Sequence, residues 1–144
     1  MEKNWYICDL WNRKEIEKQD KYTVIVAEDE EINYLYLEIL LEGIGFNIRI
    51  LHAKNGKEAV EMCKENNEID LVLMDMKMPI MSGFEATKLI KEFCPALPIV
   101  AQTAYTRSDE KEHAFSVGCD DFISKPISEG ALKEIMNKHL IMKE

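Results

Sequence analysis

The sequence predicts an α/β fold in which five parallel strands form one sheet with helices on both faces. Short apolar runs alternate with longer amphipathic segments five times, which is typical of successive strand–helix units. The third run, LVLM, is continuously hydrophobic, as is usual for a strand covered on both faces. Five units favour the doubly wound, flavodoxin-like strand order 2-1-3-4-5 over a barrel, which needs about eight.

The elements follow from periodicity and from capping residues. The predicted strands are short and rich in aliphatic residues, and they cover 23–27, 47–53, 70–74, 97–103 and 121–124. The predicted helices have apolar residues at helical spacing, and they cover 31–44, 55–67, 81–93, 108–118 and 127–143. Asn55, Ser82 and Ser128 are the expected N-caps, and Gly118 is expected to end the fourth helix.

The composition limits the classes of function. The chain has 144 residues and a net charge of −9, which disfavours a nucleic-acid surface and suits cations or basic partners. No apolar run approaches the roughly 20 residues of a membrane helix, so we expect no membrane insertion of this segment. Scattered cysteines without a CxxC pair indicate buried thiols in a reducing compartment, which predicts a cytoplasmic protein: Cys8, Cys63, Cys94 and Cys119.

Residues 1–21 do not join the strand–helix alternation. The segment is polar and interrupted, but it contains two tryptophans at positions 5 and 11. We interpret 1–21 as an N-terminal arm or linker and 22–144 as the folded domain. A disordered start is an equally open interpretation of the same residues.

Charged and hydroxyl residues follow four of the five predicted strands. Glu28 and Asp29 follow the first strand, Asp75 the third, Thr103 the fourth and Lys125 the fifth. In an open parallel sheet, ligands bind at the carboxyl ends of the strands, so these side chains are expected to converge. Carboxylates are hard oxygen ligands that suit Mg²⁺, and an ammonium or hydroxyl group can hold a phosphoryl oxygen.

Each of these pieces also has a purely structural interpretation. The acidic run from Glu28 commonly serves as a solvated helix start, Thr103 as a cap, and Lys125-Pro126 as an ordinary loop. Their joint placement instead favours a site that brings a phosphate and a divalent cation to Asp75. The Asp75 carboxylate can then act as a nucleophile toward phosphorus.

Four motifs occur in an order that is similar to one known family. They are VIVAEDEEIN (24–33), LVLMDMKMPIMSGFEAT (71–87), PIVAQTAYT (98–106) and DDFISKPIS (120–128). The chain resembles, over about residues 22–143, the receiver domain of two-component response regulators, including those fused to hybrid histidine kinases. The resemblance implies a (βα)5 signalling domain rather than an enzyme. It also implies Mg²⁺ dependence, with Mn²⁺ able to substitute, and phosphotransfer from a phosphohistidine donor.

The resemblance assigns the acceptor and the metal ligands by position. Asp75 is the expected phosphoacceptor, and Glu28 and Asp29 are expected to hold the metal together with the backbone carbonyl of Lys77. Glu28 stands where many receivers have Asp, and its extra methylene still permits metal or water-mediated contact. Lys77 and Tyr105 occupy the variable positions expected to tune dephosphorylation.

The resemblance also assigns the switch. Thr103 and Lys125 are expected to contact the phosphoryl group, and the Lys125-Pro126 bond is expected to be cis. Phe122 occupies the aromatic switch position and is expected to turn inward when Thr103 moves toward the phosphate. Phe122 lacks the hydroxyl of the commoner Tyr, so a hydrogen bond in the outward rotamer is not available to it.

The expected partners follow from the same family. A histidine kinase or histidine phosphotransfer domain is expected to dock near the first helix, whose start carries Ile32 and Asn33. A downstream protein or domain is expected to bind the face formed by the fourth helix, fifth strand and fifth helix. A phosphorylation-dependent dimer is a further expectation, and the output itself stays open.

Three other classes of protein fit less well. A phosphatase of the haloacid dehalogenase kind needs a second acid two residues after the first, where this chain has Lys77. A pseudo-receiver that only binds protein is disfavoured by the intact Asp75, Thr103 and Lys125. A flavin-binding protein needs a loop that cradles phosphate, and the run from Glu28 would repel it without a metal.

Overall fold

The computed structural model describes residues 22–104 and 108–141. Its five strands are all parallel and lie in the order β2-β1-β3-β4-β5, which confirms the predicted doubly wound topology. The strands are β1 Tyr22–Ala27, β2 Ile48–Ala53, β3 Leu71–Asp75, β4 Ile99–Ala104 and β5 Asp121–Lys125. The predicted arm at 1–21 and the tuning residue Tyr105 lie outside the described residues.

Five helices connect and follow the strands. They are α1 Glu31–Gly43, α2 Gly56–Glu65, α3 Gly83–Phe93, α4 Ser108–Ser116 and α5 Glu129–Met136. The three expected N-caps are confirmed, because the side chains of Asn55, Ser82 and Ser128 each accept a backbone N–H three residues on. Gly118 follows α4 with φ of 113°, a conformation that favours glycine. The last helix differs from its prediction, since it changes to a π-helical turn at Asn137–Ile141.

The core lies in two layers, one on each face of the sheet. Side chains of α2, α3 and α4 pack on one face, and those of α1 and α5 pack on the other. Every residue of β3 is buried, which explains why its sequence is continuously apolar up to Asp75. Burial raises the pKa of Cys63 to about 12 and that of Cys119 to about 11, as expected for thiols that act as small hydrophobes.

The apolar surface of α1 is larger than the core can cover. The helix buries Leu37 and Leu41 against the sheet. Ile32 is 80% exposed and Ile39 is 67% exposed, and Leu35 and Tyr36 are also exposed. Helical spacing alone does not distinguish these four residues from the packed ones. The structure shows that they form a second apolar stripe on α1, which faces away from the core.

No helix within the described residues is both long enough and apolar enough to cross a membrane.

Candidate functional site

Three carboxylates meet where β1 and β3 end. The two strands pair side by side up to Ala27 and Met74, so the residues that follow them, Glu28 and Asp75, become neighbours. One carboxylate oxygen from each of Glu28, Asp29 and Asp75 lies within 4.8 Å of the others. Glu28 and Asp75 are buried, whereas Asp29 is exposed. The predicted convergence of these acids is therefore present in the structure.

Lys125 supplies the positive charge of this cluster. Lys125 is the last residue of β5, and its side chain reaches past the end of β4. Its Nζ lies 3.2 Å from Asp75 Oδ2 and 3.4 Å from Glu28 Oε2. The Lys125-Pro126 peptide is cis, as the resemblance implied. One ammonium against the carboxylates of Glu28, Asp29 and Asp75 leaves a local formal charge of −2, which is the charge that a divalent cation neutralises.

The charges of the cluster shift one another's protonation. Burial raises the pKa of Glu28, the nearby charge of Asp75 raises it further, and Lys125 only partly offsets both effects. Burial alone would lower the pKa of Lys125, but attraction to Asp75 and Glu28 outweighs it, so its pKa is raised. The ammonium is therefore held in its charged form beside a carboxylate that is poorly neutralised. Oxygen-only donors with excess negative charge fit Mg²⁺.

Backbone groups orient the two buried carboxylates. The Lys77 N–H donates to Asp75 Oδ1 at 3.2 Å, and the Glu30 N–H donates to Glu28 Oε1 at 3.2 Å. Behind Asp75 the chain folds back so that the Gly83 N–H donates to the Met76 carbonyl at 3.0 Å. A Cβ at Gly83 would collide with the backbone of Asp75, so only glycine permits this approach.

The sequence interpretation missed a support on the other side of Glu28. His52 Nε2 lies 2.8 Å from the Glu28 carbonyl oxygen, within hydrogen-bond distance, and its ring stacks on Tyr34 with centroids 3.6 Å apart. His52 lies in β2 and Tyr34 in α1, so the contact joins two elements to the start of the acidic run. Alternation in β2 predicts that the side chain of His52 points to one side of the sheet. It does not predict which residues that side chain contacts.

The residues assigned to the switch lie on β4 and β5. Thr103 is buried near the end of β4 and pairs in register with Ser124. Phe122 is half-buried, with Lys111 Nζ 3.8 Å from its ring centroid and Phe115 edge-on at 6.1 Å. The roles assigned to Thr103 and Phe122, including their movement, stay predictions.

Comparison with known proteins agrees with this fold and site. A family model described as the response regulator receiver domain matches residues 24–137. Hybrid signal transduction histidine kinase I of Dictyostelium discoideum is 38% identical over 125 residues, which is 81% of this chain. The chain spans only 7% of that relative's length.

Two solved structures share the fold, and their sequences are 26% and 31% identical to this chain. The Saccharomyces cerevisiae Ssk1 receiver domain, solved with the histidine phosphotransfer protein Ypd1, has a TM-score of 0.74 and 31% identity, covering 87% of this chain and 96% of its own. The receiver domain of a Pseudomonas aeruginosa sensor histidine kinase, solved with magnesium in its active-site cleft, has a TM-score of 0.75 and 26% identity, covering 83% and 97%.

The family model covers more than half of the chain, and the matched residues include Glu28, Asp29, Asp75 and Lys125 of the acidic edge. The chain therefore belongs to the family of response regulator receiver domains, the signalling domains of two-component and phosphorelay systems.

Proposed function

We propose that Asp75 accepts a phosphoryl group from a phosphohistidine donor. The observation that carries this proposal is a buried carboxylate at a strand end, held 3.2 Å from one ammonium in a cluster with two further acids. In the transfer, an Asp75 oxygen forms a bond to phosphorus while the phosphorus–nitrogen bond of the donor breaks. The imidazole nitrogen keeps the electron pair of the broken bond.

Glu28, Asp29 and Asp75 would hold Mg²⁺, or Mn²⁺ in its place, with the backbone carbonyl of Lys77 as a further ligand. The local charge of −2 and the magnesium in the cleft of the Pseudomonas aeruginosa relative support this assignment. When bound, the metal would neutralise the charge that develops on the transferred oxygens. The N–H bond from Lys77 to Asp75 keeps this stretch of backbone beside the acceptor.

Lys125 and Thr103 are the groups that would hold the phosphoryl oxygens after transfer. The half-buried ammonium already lies beside Asp75 and can exchange this carboxylate contact for a phosphoryl oxygen. Movement of Thr103 toward the phosphoryl group would vacate space for Phe122, and the population of the face formed by α4, β5 and α5 would shift. A downstream protein, a further domain or a second copy of the chain would bind that face.

The exposed stripe of α1 is the proposed docking site for the donor. Its residues, Ile32, Leu35, Tyr36 and Ile39, lie in the first two turns or so after the acidic run. A helix face that is apolar and uncovered by the core suits a helical partner. The co-crystal of the yeast relative with a histidine phosphotransfer protein supports a partner of this class.

The remaining assignments are also proposals. Lys77 and Tyr105 would tune how long the phosphoryl group persists, and residues 22–144 would form the receiver domain after an arm or linker at 1–21. The protein would act in the cytoplasm, where thiols such as those of Cys63, Cys94 and Cys119 stay reduced.

Labelling with a small phosphodonor such as acetyl phosphate in the presence of Mg²⁺ tests the acceptor role. We expect the wild type to gain one phosphoryl group, Asp75→Asn to gain none, and chelation of the metal to stop labelling. The matched control is Asp109→Asn, which removes an exposed aspartate from α4 and should label normally. Equal labelling of Asp75→Asn and wild type would refute the proposal.

A second measurement separates donor docking from chemistry. Ile39→Lys should slow transfer from a phosphorylated histidine phosphotransfer domain by about tenfold or more, because a charge on the stripe must be desolvated on docking. Labelling by acetyl phosphate should not change. If both donors are slowed equally, the stripe is not the docking site.

A further inference from the structure

A small cavity lies beneath α1, directly beside the phosphoacceptor cluster. Its volume is about 90 Å³, and it is partly open to solvent. Polar residues from α1, β4, β5 and the position after β1 line it together with three apolar residues. Its lining consists of Glu28, Asn33, Tyr36, Leu37, Gln102, Lys125, Pro126 and Ile127. The proposed function uses Glu28 and Lys125 but leaves the cavity itself unexplained.

Gln102 is the unusual member of this lining. It is 1% exposed, and neither Nε2 nor Oε1 of its amide has a hydrogen-bond partner among the described residues. Buried side-chain amides are nearly always hydrogen-bonded, because leaving one unpaired is strongly unfavourable. An amide that faces a cavity with no protein partner indicates that a polar occupant completes its bonds.

Lys125 lines the same cavity, and its side chain is 32% exposed. An ammonium carries three N–H donors, and the described residues offer it two acceptors, Asp75 Oδ2 and Glu28 Oε2. The Tyr36 hydroxyl is already committed, because it donates to the Ile127 carbonyl at 2.6 Å. Gln102 and Lys125 therefore line one pocket, and each has polar capacity that the described residues leave unused.

Size decides what can occupy the cavity. Water takes about 30 Å³ in the liquid, so about two or three molecules fit, each needing two to four polar partners. We propose that the cavity is a water site in which water bridges the Gln102 amide and Lys125 Nζ. Gln102 then acts as a positioning residue that steadies the ammonium of Lys125.

The sheet places Gln102 where such support matters. It pairs in register with Asp75 across β3 and β4, and it directly precedes Thr103. The water site is independent of any reaction, whereas its effect on phosphotransfer rests on the proposed function of Asp75. The two parts are therefore tested by separate measurements.

The first measurement detects water in the unphosphorylated, metal-free protein. In NMR spectra we expect cross-peaks between water and the Gln102 side-chain amide, and a Lys125 Nζ resonance that shifts in Gln102→Leu. Gln102→Asn keeps the amide and should leave the Lys125 resonance near its wild-type position. Absence of the water cross-peaks overturns the water site, whatever the chain's activity.

Thermal unfolding gives an independent answer from the same variants. If the amide were buried dry, Gln102→Leu would remove an unpaired polar group, and Tm would rise by about 3 °C or more. With water present, the substitution removes hydrogen bonds instead, and we expect Tm to stay level or fall. A clear rise in Tm therefore overturns the proposal.

The labelling rate then tests the positioning role. With acetyl phosphate and Mg²⁺, we expect Gln102→Leu to label several-fold more slowly and Gln102→Asn to keep most of the rate. Wild-type labelling by Gln102→Leu, with an unmoved Lys125 resonance, overturns the positioning role. If the wild type gains no label at all, the proposed function fails, while the water cross-peaks still decide the cavity.

Discussion

Two lysines lie in ion-pair clusters at opposite edges of the sheet, and their surroundings differ. At the amino edge, Lys91 Nζ donates to the carbonyls of Pro95 and Leu97 at 3.2 and 2.7 Å and to Asp120 Oδ2 at 2.7 Å. All three donors are used. Asp120 Oδ2 also accepts the Ile99 N–H, so one cation faces one carboxylate that is itself tied to the strand backbone.

The carboxyl edge has the opposite balance. Lys125 faces Asp75 and Glu28, with Asp29 close by, so one cation meets three carboxylates. Burial of such a cluster opposes folding, because charges that are poorly neutralised are costly away from water. A cluster in which every donor of the lysine is used stabilises the fold. A cluster with more carboxylates than cations can still bind a metal and a phosphoryl group.

Replacing each lysine by methionine, one at a time, should reveal the largest difference between the two clusters. Lys125→Met removes the only ammonium beside Asp75 in the part of the chain that the structure describes, so acetyl phosphate labelling should fall about 10²-fold. Lys91→Met should label at close to the wild-type rate once it is folded. Comparable losses in both variants would show that the two clusters do not differ in the way described.

The free energy of unfolding should change in the opposite order, with a larger loss in Lys91→Met than in Lys125→Met. Lys91→Met leaves two carbonyls and a carboxylate without their donor, which should lower the free energy of unfolding by about 2 kcal/mol. Urea unfolding measures this change. Lys88→Met, which removes an exposed lysine from the same helix, is the control and should change stability by less than about 0.5 kcal/mol. A Lys91 variant no weaker than this control contradicts the stabilising role of Lys91.

The carboxyl edge should make stability depend on pH in a defined direction. The pKa of Glu28 is raised in the folded state, so the folded protein binds this proton more tightly than the unfolded chain does. The wild type then loses stability as the pH rises from the ordinary pKa of Glu28 through its raised value. Glu28→Gln removes the effect and should be about 1 kcal/mol more stable than wild type at pH 8 without metal.

Urea unfolding of both proteins between pH 5 and pH 8, with a chelator present, checks this prediction. The advantage of Glu28→Gln should shrink toward acid, and Mg²⁺ should stabilise the variant less than the wild type. Glu61→Gln, on the exposed surface of α2, should show neither trend. An advantage that grows toward acid would reverse the assigned sign.

The smallest expected effect concerns strain near the acceptor. Ile80 has φ of 70° and is 79% exposed, so a β-branched residue adopts a left-handed conformation with little packing in return. Ile80→Asn should raise the free energy of unfolding by about 0.5–1 kcal/mol, since Asn tolerates this conformation better. Ile44→Asn, at a buried position, should be destabilising. A loss of stability in Ile80→Asn would mean that Ile80 makes contacts that outweigh the strain.

The sequence predicted the topology more reliably than the surfaces. Apolar runs and N-caps such as Asn55 and Ser82 are local features, so each predicted strand and helix is present within a few residues. The sequence did not show which face of α1 is exposed, because both faces are apolar and helical spacing cannot choose between them. The π-helical turn after α5 was missed, since its winding depends on contacts such as that of His139 with Asp121.

The candidate site also contains some residues that the sequence predicted and one that it did not. Residue type and position after a strand identified Glu28, Asp29, Asp75 and Lys125, because parallel strands bring their carboxyl ends to one edge. Nothing local distinguished Gln102, whose importance depends on its burial and on the lack of a partner among the described residues.

The sequence by itself determined that five strand–helix units would place three acids and a lysine at one edge of a parallel sheet. This follows from patterns that act within a few residues. Only the tertiary structure decided that Lys125 bridges Asp75 and Glu28 past the end of β4, and that Gln102 faces a cavity beside them. Distances and unpaired groups depend on how distant segments pack, and that information is spread over the whole chain.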